Sequence, residues 1–404
     1  MLSSSTTDVK DPVLLVLDDD QEIADVICEI GGRAGFRTAA STSTRDLQGL
    51  LGTMRPDVIV LDLQIPGQDG VATLRYLADT NTRARILLVT GVDERTMGAA
   101  EQYGLRRGLP ILGTLQKPFD PGQLLQRLER AHAMIRPLTA EDLERAIAQN
   151  ELLVYYQPTI RRFADNTWDV SAVEALLRWN HPVRGLLTPD SFIAMGEQHG
   201  LSRAMTDFVI QRGIEQLKGW QALRLRIGLR INIAATLIAD VAFPDRLEQM
   251  LAEQALDADG LSLEVTETAM LEQTPETYDI LTRLRLKNIN LAIDDFGIGY
   301  SSLTQLFRMP FNEMKIDRSL VSKIQESNEA SIMVDALISL AHKLNLTVCA
   351  EGVENRETLE LLARFGSDCA QGFYISPPVP AAEVPKVVAR WDEAQHARSK
   401  SSLA

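Results

Sequence analysis

Eight short apolar runs, each cut off at its C-terminal side by a polar residue, recur between positions 153 and 375 of this 404-residue chain. The runs are 153–156, 170–174, 225–232, 261–264, 289–294, 313–316, 346–350 and 370–375. They finish at or near Gln157, Glu174, Asn232, Glu264, Asp294, Lys315, Glu351 and Gln371. Short apolar runs separated by stretches of helical spacing read as buried strands alternating with helices. Eight such units over roughly 250 residues predict a (β/α)8 barrel of the TIM type, with its site at the C-terminal strand ends. Any one of the polar residues is explicable as ordinary strand capping. All eight together predict one pocket.

A different pattern precedes them. Runs at 13–17, 58–61, 86–89 and 110–115 alternate with helical spacing at 22–34, 71–77 and 123–134, which predicts an α/β domain with a doubly wound parallel sheet. The sequence Ile-Arg-Pro-Leu-Thr-Ala at 135–140 breaks the last of these helices and caps a new one. The expected organisation is a polar tail 1–10, a first domain 11–133, a linker 134–140, a barrel 141–392 and a tail 393–404. A chain of this length exceeds what one core usually holds, which agrees with two domains.

Composition narrows the chemistry. The formal charge of -14 argues against a DNA-binding surface. Cys28, Cys349 and Cys369 are odd in number and set in apolar surroundings, as expected of reduced thiols rather than disulfides or a zinc site. The five histidines form no metal-spaced pair, so any metal must be held by oxygen. No stretch approaches the ~18 uninterrupted apolar residues of a membrane span, and the Ser/Thr-rich start lacks the apolar core of a secretory signal. A cytoplasmic location without membrane insertion is expected.

In the first block, Asp18, Asp19 and Asp20 follow the first strand and Asp62 ends the next apolar run. At the carboxyl edge of a parallel sheet these acids would meet, and clustered carboxylates call for a hard divalent cation such as Mg²⁺. Thr90 and Lys117 stand at the same edge, where a hydroxyl and an ammonium could bind phosphoryl oxygens on Asp62. The block resembles a response-regulator receiver domain. That likeness implies Asp62 as phosphoacceptor for a cognate histidine kinase, Asp18 and Asp19 as Mg²⁺ acids, and Thr90 and Lys117 as switch hydroxyl and phosphate-binding lysine. Thr114 stands where the family has an aromatic switch residue, a departure from the usual Thr/aromatic coupling.

In the second block, Glu174-Ala175-Leu176-Leu177-Arg178-Trp179 is accompanied in order by Tyr156-Gln157-Pro158, Asn232, Glu264-Val265-Thr266-Glu267, Asp294-Asp295-Phe296-Gly297, Lys315-Ile316-Asp317, Glu351-Gly352-Val353-Glu354 and Gln371-Gly372. This ordered set resembles the EAL family of cyclic di-GMP phosphodiesterases. The likeness implies hydrolysis of one phosphodiester of cyclic di-GMP to linear pGpG with two bound Mg²⁺ or Mn²⁺ ions. By that likeness Glu174, Asn232, Glu264 and Asp294 hold the first ion, and Asp294 bridges to a second completed by Asp295 and Glu351. Lys315 orients or deprotonates the attacking water, with Glu174 and Glu351 in the catalytic set. Gln157, Arg178 and Gln371 face the substrate, although Arg178 also reads as a structural salt-bridge partner. Glu267 anchors the loop 296–302, and a homodimer is implied. Ile298, Ser367-Asp368 and Pro377 depart from common family residues, and none is a ligand. The runner-up function is a weak or inactive domain that binds cyclic di-GMP as an effector, or acts as a protein scaffold. No GGDEF-type segment lies between the blocks, so synthesis of the dinucleotide is not expected. Control of the second block by phosphorylation of the first is the expectation from their fusion.

Overall fold

The structure, a computed structural model, describes residues 11–43, 47–65, 68–267, 269, 274–297 and 308–401. The expected tail 1–10, Ile298 and most of the loop 296–302 lie outside the described residues. Contacts divide the chain into two units, Met1–Leu138 with Pro182–Arg184, and Thr139–His181 with Gly185–Ala404.

The first unit holds five parallel strands, β1 (Val13–Leu17), β2 (Arg37–Ser41), β3 (Val58–Asp62), β4 (Arg85–Thr90) and β5 (Ile111–Gln116), in the order β2-β1-β3-β4-β5. Alternate residues of β1 serve opposite faces. Leu14 and Val16 pack with Ile27 of the helix Gln21–Arg33 and Leu128 of the helix Pro121–Ile135. Leu15 and Leu17 pack with Leu47, Leu74 and Ala100, from the three helices between β2 and β5. Cover on both faces is why β1 and β3 read as unbroken apolar runs. β2 went unseen in the sequence because Arg-Thr-Ala-Ala-Ser at the sheet edge carries no such run.

At the start of the second unit Thr139 caps the helix Ala140–Ala148 through a capping box with Asp142. The barrel follows, in strands β6 (Leu152–Arg162), β7 (Trp168–His181), β8 (Gly228–Asn232), β9 (Leu261–Thr266), β10 (Asn290–Phe296), β11 (Glu313–Ile316), β12 (Thr347–Ala350) and β13 (Cys369–Gln371). From β7 to β13 neighbours run parallel. β6 is antiparallel to both β7 and β13, and it closes the barrel. A short turn joins β6 to β7 with no helix between them, so the repeat is seven parallel strands plus one reversed strand. Gln157 therefore sits inside β6 rather than at its end. The helix Val384–Ser401 runs through most of the stretch expected as a C-terminal tail, a correction to that boundary. Cys349 and Cys369 are register partners on β12 and β13, buried as free thiols, and burial pushes Cys369 up to about 12. Among the described residues no helix is long and apolar enough to cross a membrane.

Two turns at the barrel mouth are locked by close backbone contact. A Cβ on Gly372 would stand 2.2 Å from the backbone N and O of Val353. That contact belongs to a small ladder in which Val353 N–H donates to Gln371 O at 3.0 Å and Tyr374 N–H to Val353 O at 2.9 Å. Gly372→Ala must push apart the segments that carry Glu351 and Gln371. A fall in thermal unfolding midpoint of at least several degrees is expected for this variant, and an unchanged midpoint would contradict the packing described.

Candidate functional site

All eight polar residues at the predicted strand ends join one network. Lys315 Nζ, almost fully buried, lies 2.6 Å from Glu351 Oε1, 2.7 Å from Glu264 Oε2, 3.3 Å from Asp294 Oδ1 and 3.6 Å from Glu174 Oε2. Asn232 Nδ2 donates to Glu174 Oε1 at 2.6 Å, and Gln371 Nε2 donates to Glu174 Oε2 at 2.5 Å. The chain of contacts continues from Gln371 Nε2 to Gln157 Oε1 at 3.2 Å, while Thr159 Oγ1 donates to Gln371 Oε1 at 2.7 Å. Each residue comes from a different strand or strand end, which is the geometry a barrel provides.

Asp295 enters by a backbone irregularity. Successive residues of a regular strand face opposite sides of the sheet. Here the register between β10 and β11 shifts between Ile293 and Phe296, and Asp295 takes a left-handed φ of 56°. Through this bulge the carboxylates of Asp294, Asp295 and Glu351 come within 4.8 Å of one another. Left-handed backbone at a non-glycine residue is costly and tends to persist where the surroundings enforce it.

Charge is unevenly balanced in the ring. Burial opposes the charge of Lys315, yet Asp294, Glu174, Glu264 and Glu351 outweigh it and hold the ammonium protonated well above its ordinary range. Burial likewise pushes Glu264 far up, and Glu351 up to about 8, against the pull of Lys315. Partial desolvation and the neighbouring Asp294 push Asp295 up to about 6. Glu174 moves the other way, because Lys315 and the amides of Gln371 and Asn232 overcome its burial. Five carboxylates and a carboxamide around one ammonium form a hard oxygen donor set with surplus negative charge. That set fits Mg²⁺ or Mn²⁺.

Arg178 lies on β7 at the same face as Glu174. It is buried, its Nη1 donates to Leu177 O at 2.8 Å, and its guanidinium lies over the Tyr155 ring at 5.6 Å. Among the described residues it pairs with no carboxylate, so the salt-bridge expectation for it fails. Burial pulls its pKa down, against the opposing charges of Asp190 and Glu174. Glu267 is buried, with its N–H donating to Asp294 O at 3.1 Å, and its Oε2 has no partner among the described residues. Most of the loop it was expected to anchor lies outside those residues.

A second acidic cluster closes the carboxyl edge of the first unit. Oxygens of Asp18, Asp19 and Asp62 lie within 4.8 Å of one another. Lys117 Nζ donates to Asp18 Oδ2 at 2.6 Å and Asp62 Oδ2 at 2.7 Å. Asp62 pairs in register with Val89, one residue before the fully buried Thr90, whose backbone carbonyl accepts from Lys117 N–H at 2.8 Å. Thr114 sits half-buried on β5 in register with Leu88.

Sequence reasoning missed Arg230 and Glu313, both buried inside the barrel. Arg230 sits two residues before Asn232 and Glu313 two before Lys315, and that period-two spacing is the signal that could have found them.

Residues 14–129 match the response regulator receiver domain, and residues 140–378 match the EAL domain. The EAL match covers more than half of the chain, which therefore belongs to the EAL family, with a receiver domain ahead of the barrel. The chain is 37% identical over 262 residues to the Pseudomonas aeruginosa protein named cyclic di-GMP phosphodiesterase NbdA, covering 64% of this chain and 33% of that protein. It is 29% identical over 334 residues to the cyclic di-GMP phosphodiesterase RocR of the same organism, covering 80% of this chain and 84% of RocR. It thus spans about a third of NbdA but most of RocR. Among solved structures, "PaMucR Phosphodiesterase, c-di-GMP complex" superimposes with a TM-score of 0.57 at 33% identity, covering 60% of this chain and 98% of that one.

Carboxyls whose pKa is raised in the folded state stabilise it below their unfolded pKa, and that contribution is lost as pH rises through the folded value. For Asp295 and Glu351 the windows run from the ordinary 3.8 and 4.5 up to about 6 and about 8. The metal-free chain is expected to lose stability as pH rises across this span, and saturating Mn²⁺ to flatten the loss. Thermal unfolding in chelator and in Mn²⁺ over a pH series checks this; a flat profile in chelator counts against it.

Proposed function

We propose that this chain hydrolyses one phosphodiester of cyclic di-GMP to linear pGpG, using two divalent ions held in the barrel mouth, under control of the receiver domain. The observation that carries the reading is that all eight strand-end polar residues join one network, in which Asn232, Glu264, Asp294, Glu351 and Gln371 contact Lys315 or Glu174 and Gln157 joins through Gln371. The kinship with proteins named cyclic di-GMP phosphodiesterases supports the substrate.

Glu174, Asn232, Glu264 and Asp294 would hold one ion, and Asp294, Asp295 and Glu351 the other. With its N–H committed to Glu174, Asn232 offers its Oδ1. Bound divalent ions neutralise phosphoryl charge and make water more acidic. Lys315, whose Nζ stands among these carboxylates, would orient or deprotonate the attacking water. Glu174 and Glu351 complete the catalytic set. Arg178, buried and in no ion pair with a carboxylate among the described residues, would present its planar fork to a substrate phosphate. Gln157 and Gln371, bonded to each other, with Gln371 also bonded to Glu174, would serve guanine or phosphate contacts.

In the receiver, phosphorylation of Asp62 by a histidine kinase places a dianion where Lys117 now bridges Asp62 and Asp18. Lys117 and Thr90 are the groups proposed to follow the phosphoryl oxygens, with Mg²⁺ at Asp18, Asp19 and Asp62.

Two experiments test the reading. Incubation with cyclic di-GMP and Mg²⁺ or Mn²⁺, followed by chromatography, is expected to yield pGpG, and Glu174→Ala to lower turnover at least ~100-fold at saturating metal. Undiminished turnover in the variant would remove the proposed site, and tight binding without product would make the domain an effector. For control, beryllofluoride is expected to change turnover by up to about tenfold, corresponding to a bias of about 1.4 kcal/mol. Asp62→Ala should abolish that response, and identical rates with and without beryllofluoride would decouple the two domains.

A further inference from the structure

Glu264 is the most deeply buried carboxylate of the ring, with no exposed surface. Its two oxygens are divided between two cations. Oε2 meets Lys315 Nζ at 2.7 Å on the side of the network that joins the other carboxylates. Oε1 faces Arg230 Nη1 at 3.5 Å. That guanidinium lies one pleat below Asn232 on β8 and is itself gripped by Glu313, through Nη1 to Oε1 and through Nη2 to Oε2 at 3.1 Å. Glu313 in turn lies one pleat below Lys315 on β11. A lower storey of Arg230 and Glu313 thus stands directly under an upper storey of Glu264 and Lys315.

A stability role alone accounts poorly for this arrangement. Replacing a buried ion pair with apolar side chains of similar volume is often neutral or stabilising. Arg230 moreover leaves its buried Nε without a partner among the described residues. What the pair does accomplish is geometric. With Glu313 fixing the guanidinium fork, Nη1 faces Oε1 of Glu264 at 3.5 Å, while Oε2 of the same carboxylate meets Lys315 at 2.7 Å.

We propose that Arg230, locked by Glu313, is a positioning residue for Glu264, and that it sets the divalent-ion affinity of the barrel mouth. This inference rests on the metal-binding part of the function proposed above, not on turnover. Partners that orient metal-binding side chains typically contribute 10–100-fold to metal affinity. Arg230 acts through Glu264 and does not itself face the substrate.

The test uses the full chain and Mn²⁺ alone, with titration calorimetry for affinity and chelator-treated thermal unfolding for the fold. Three variants are compared, Arg230→Lys, Arg230→Met and the double variant Arg230→Met with Glu313→Met. The double variant removes both buried charges, so it is expected to keep an unfolding midpoint near that of the unaltered chain while binding Mn²⁺ 10–100-fold more weakly. Arg230→Lys, which retains a cation but not the fork, is expected to recover part of that loss. A folded double variant that binds Mn²⁺ as tightly as the unaltered chain would overturn the proposal and leave Arg230 a structural partner of Glu313. An unaltered chain that binds no Mn²⁺ would overturn it too. An unaltered chain that binds Mn²⁺ and yet yields no pGpG refutes the hydrolytic reading alone and leaves the role of Arg230 to be decided by the variants.

Discussion

One ammonium in the middle of four carboxylates is the contact on which the barrel mouth depends. Lys315 reaches Glu174, Glu264, Asp294 and Glu351, which come from four different strands or strand ends. Buried carboxylates repel one another and resist desolvation, so without a cation among them the ring would splay or take up protons. The lysine can stand there because β11 delivers it from inside a closed barrel, where its stem is covered and only Nζ needs partners. Closure itself depends on β6, whose reversed direction pairs it with both β7 and β13. The electrostatics of the site and the topology of the sheet are therefore one problem with one solution.

The ring was legible in the sequence because strand periodicity and burial act together. A polar residue that interrupts an apolar run is conspicuous, and the eight interruptions at Gln157, Glu174, Asn232, Glu264, Asp294, Lys315, Glu351 and Gln371 all fall on the site. Features that depend on relations between strands were not legible. The direction of β6 is set by a hairpin turn and by pairing partners far apart in sequence, and its apolar run looks like any other. The bulge that turns Asp295 toward Asp294 is a local backbone event without a glycine or proline to announce it. Arg230 was hidden for the opposite reason. A charged residue between Leu229 and Ile231 reads as an outward-facing position, and only the presence of Glu313 on a strand far along the chain makes its burial affordable.

The receiver repeats the same device in smaller form. Lys117 bridges Asp18 and Asp62 much as Lys315 bridges the barrel acids, and in both places the lysine is one cation facing too many carboxylates. Desolvation pushes Asp18 up even with Lys117 beside it. An acidic cluster with a single ammonium is short of positive charge, and a divalent ion is the economical way to supply it. In the receiver that shortage would deepen when Asp62 gains a dianion, so the lysine and hydroxyl at the edge must be close enough to respond. Thr90 satisfies this by its place on β4, next to the register partner of Asp62.

The surplus negative charge of the barrel mouth also constrains the proposed reaction. Cyclic di-GMP carries phosphodiester anions, and a pocket of five carboxylates with one ammonium would repel it. Arg178 is the desolvated cation beside that ring without an acidic partner among the described residues, and one guanidinium at the edge does not offset the ring. On the proposed reading, divalent ions held by these carboxylates would offset that charge for the dinucleotide to bind. On that reading Arg178 would orient a phosphate beside the bound ions, and selectivity between substrate and other anions would fall to the glutamines of β6 and β13. Gln157 and Gln371 are suited to that part because each is already fixed by a second hydrogen bond, to Ser376 O at 3.1 Å and from Thr159 Oγ1 at 2.7 Å respectively. An amide that is held in place discriminates by geometry, whereas a free one would adapt to whatever arrived.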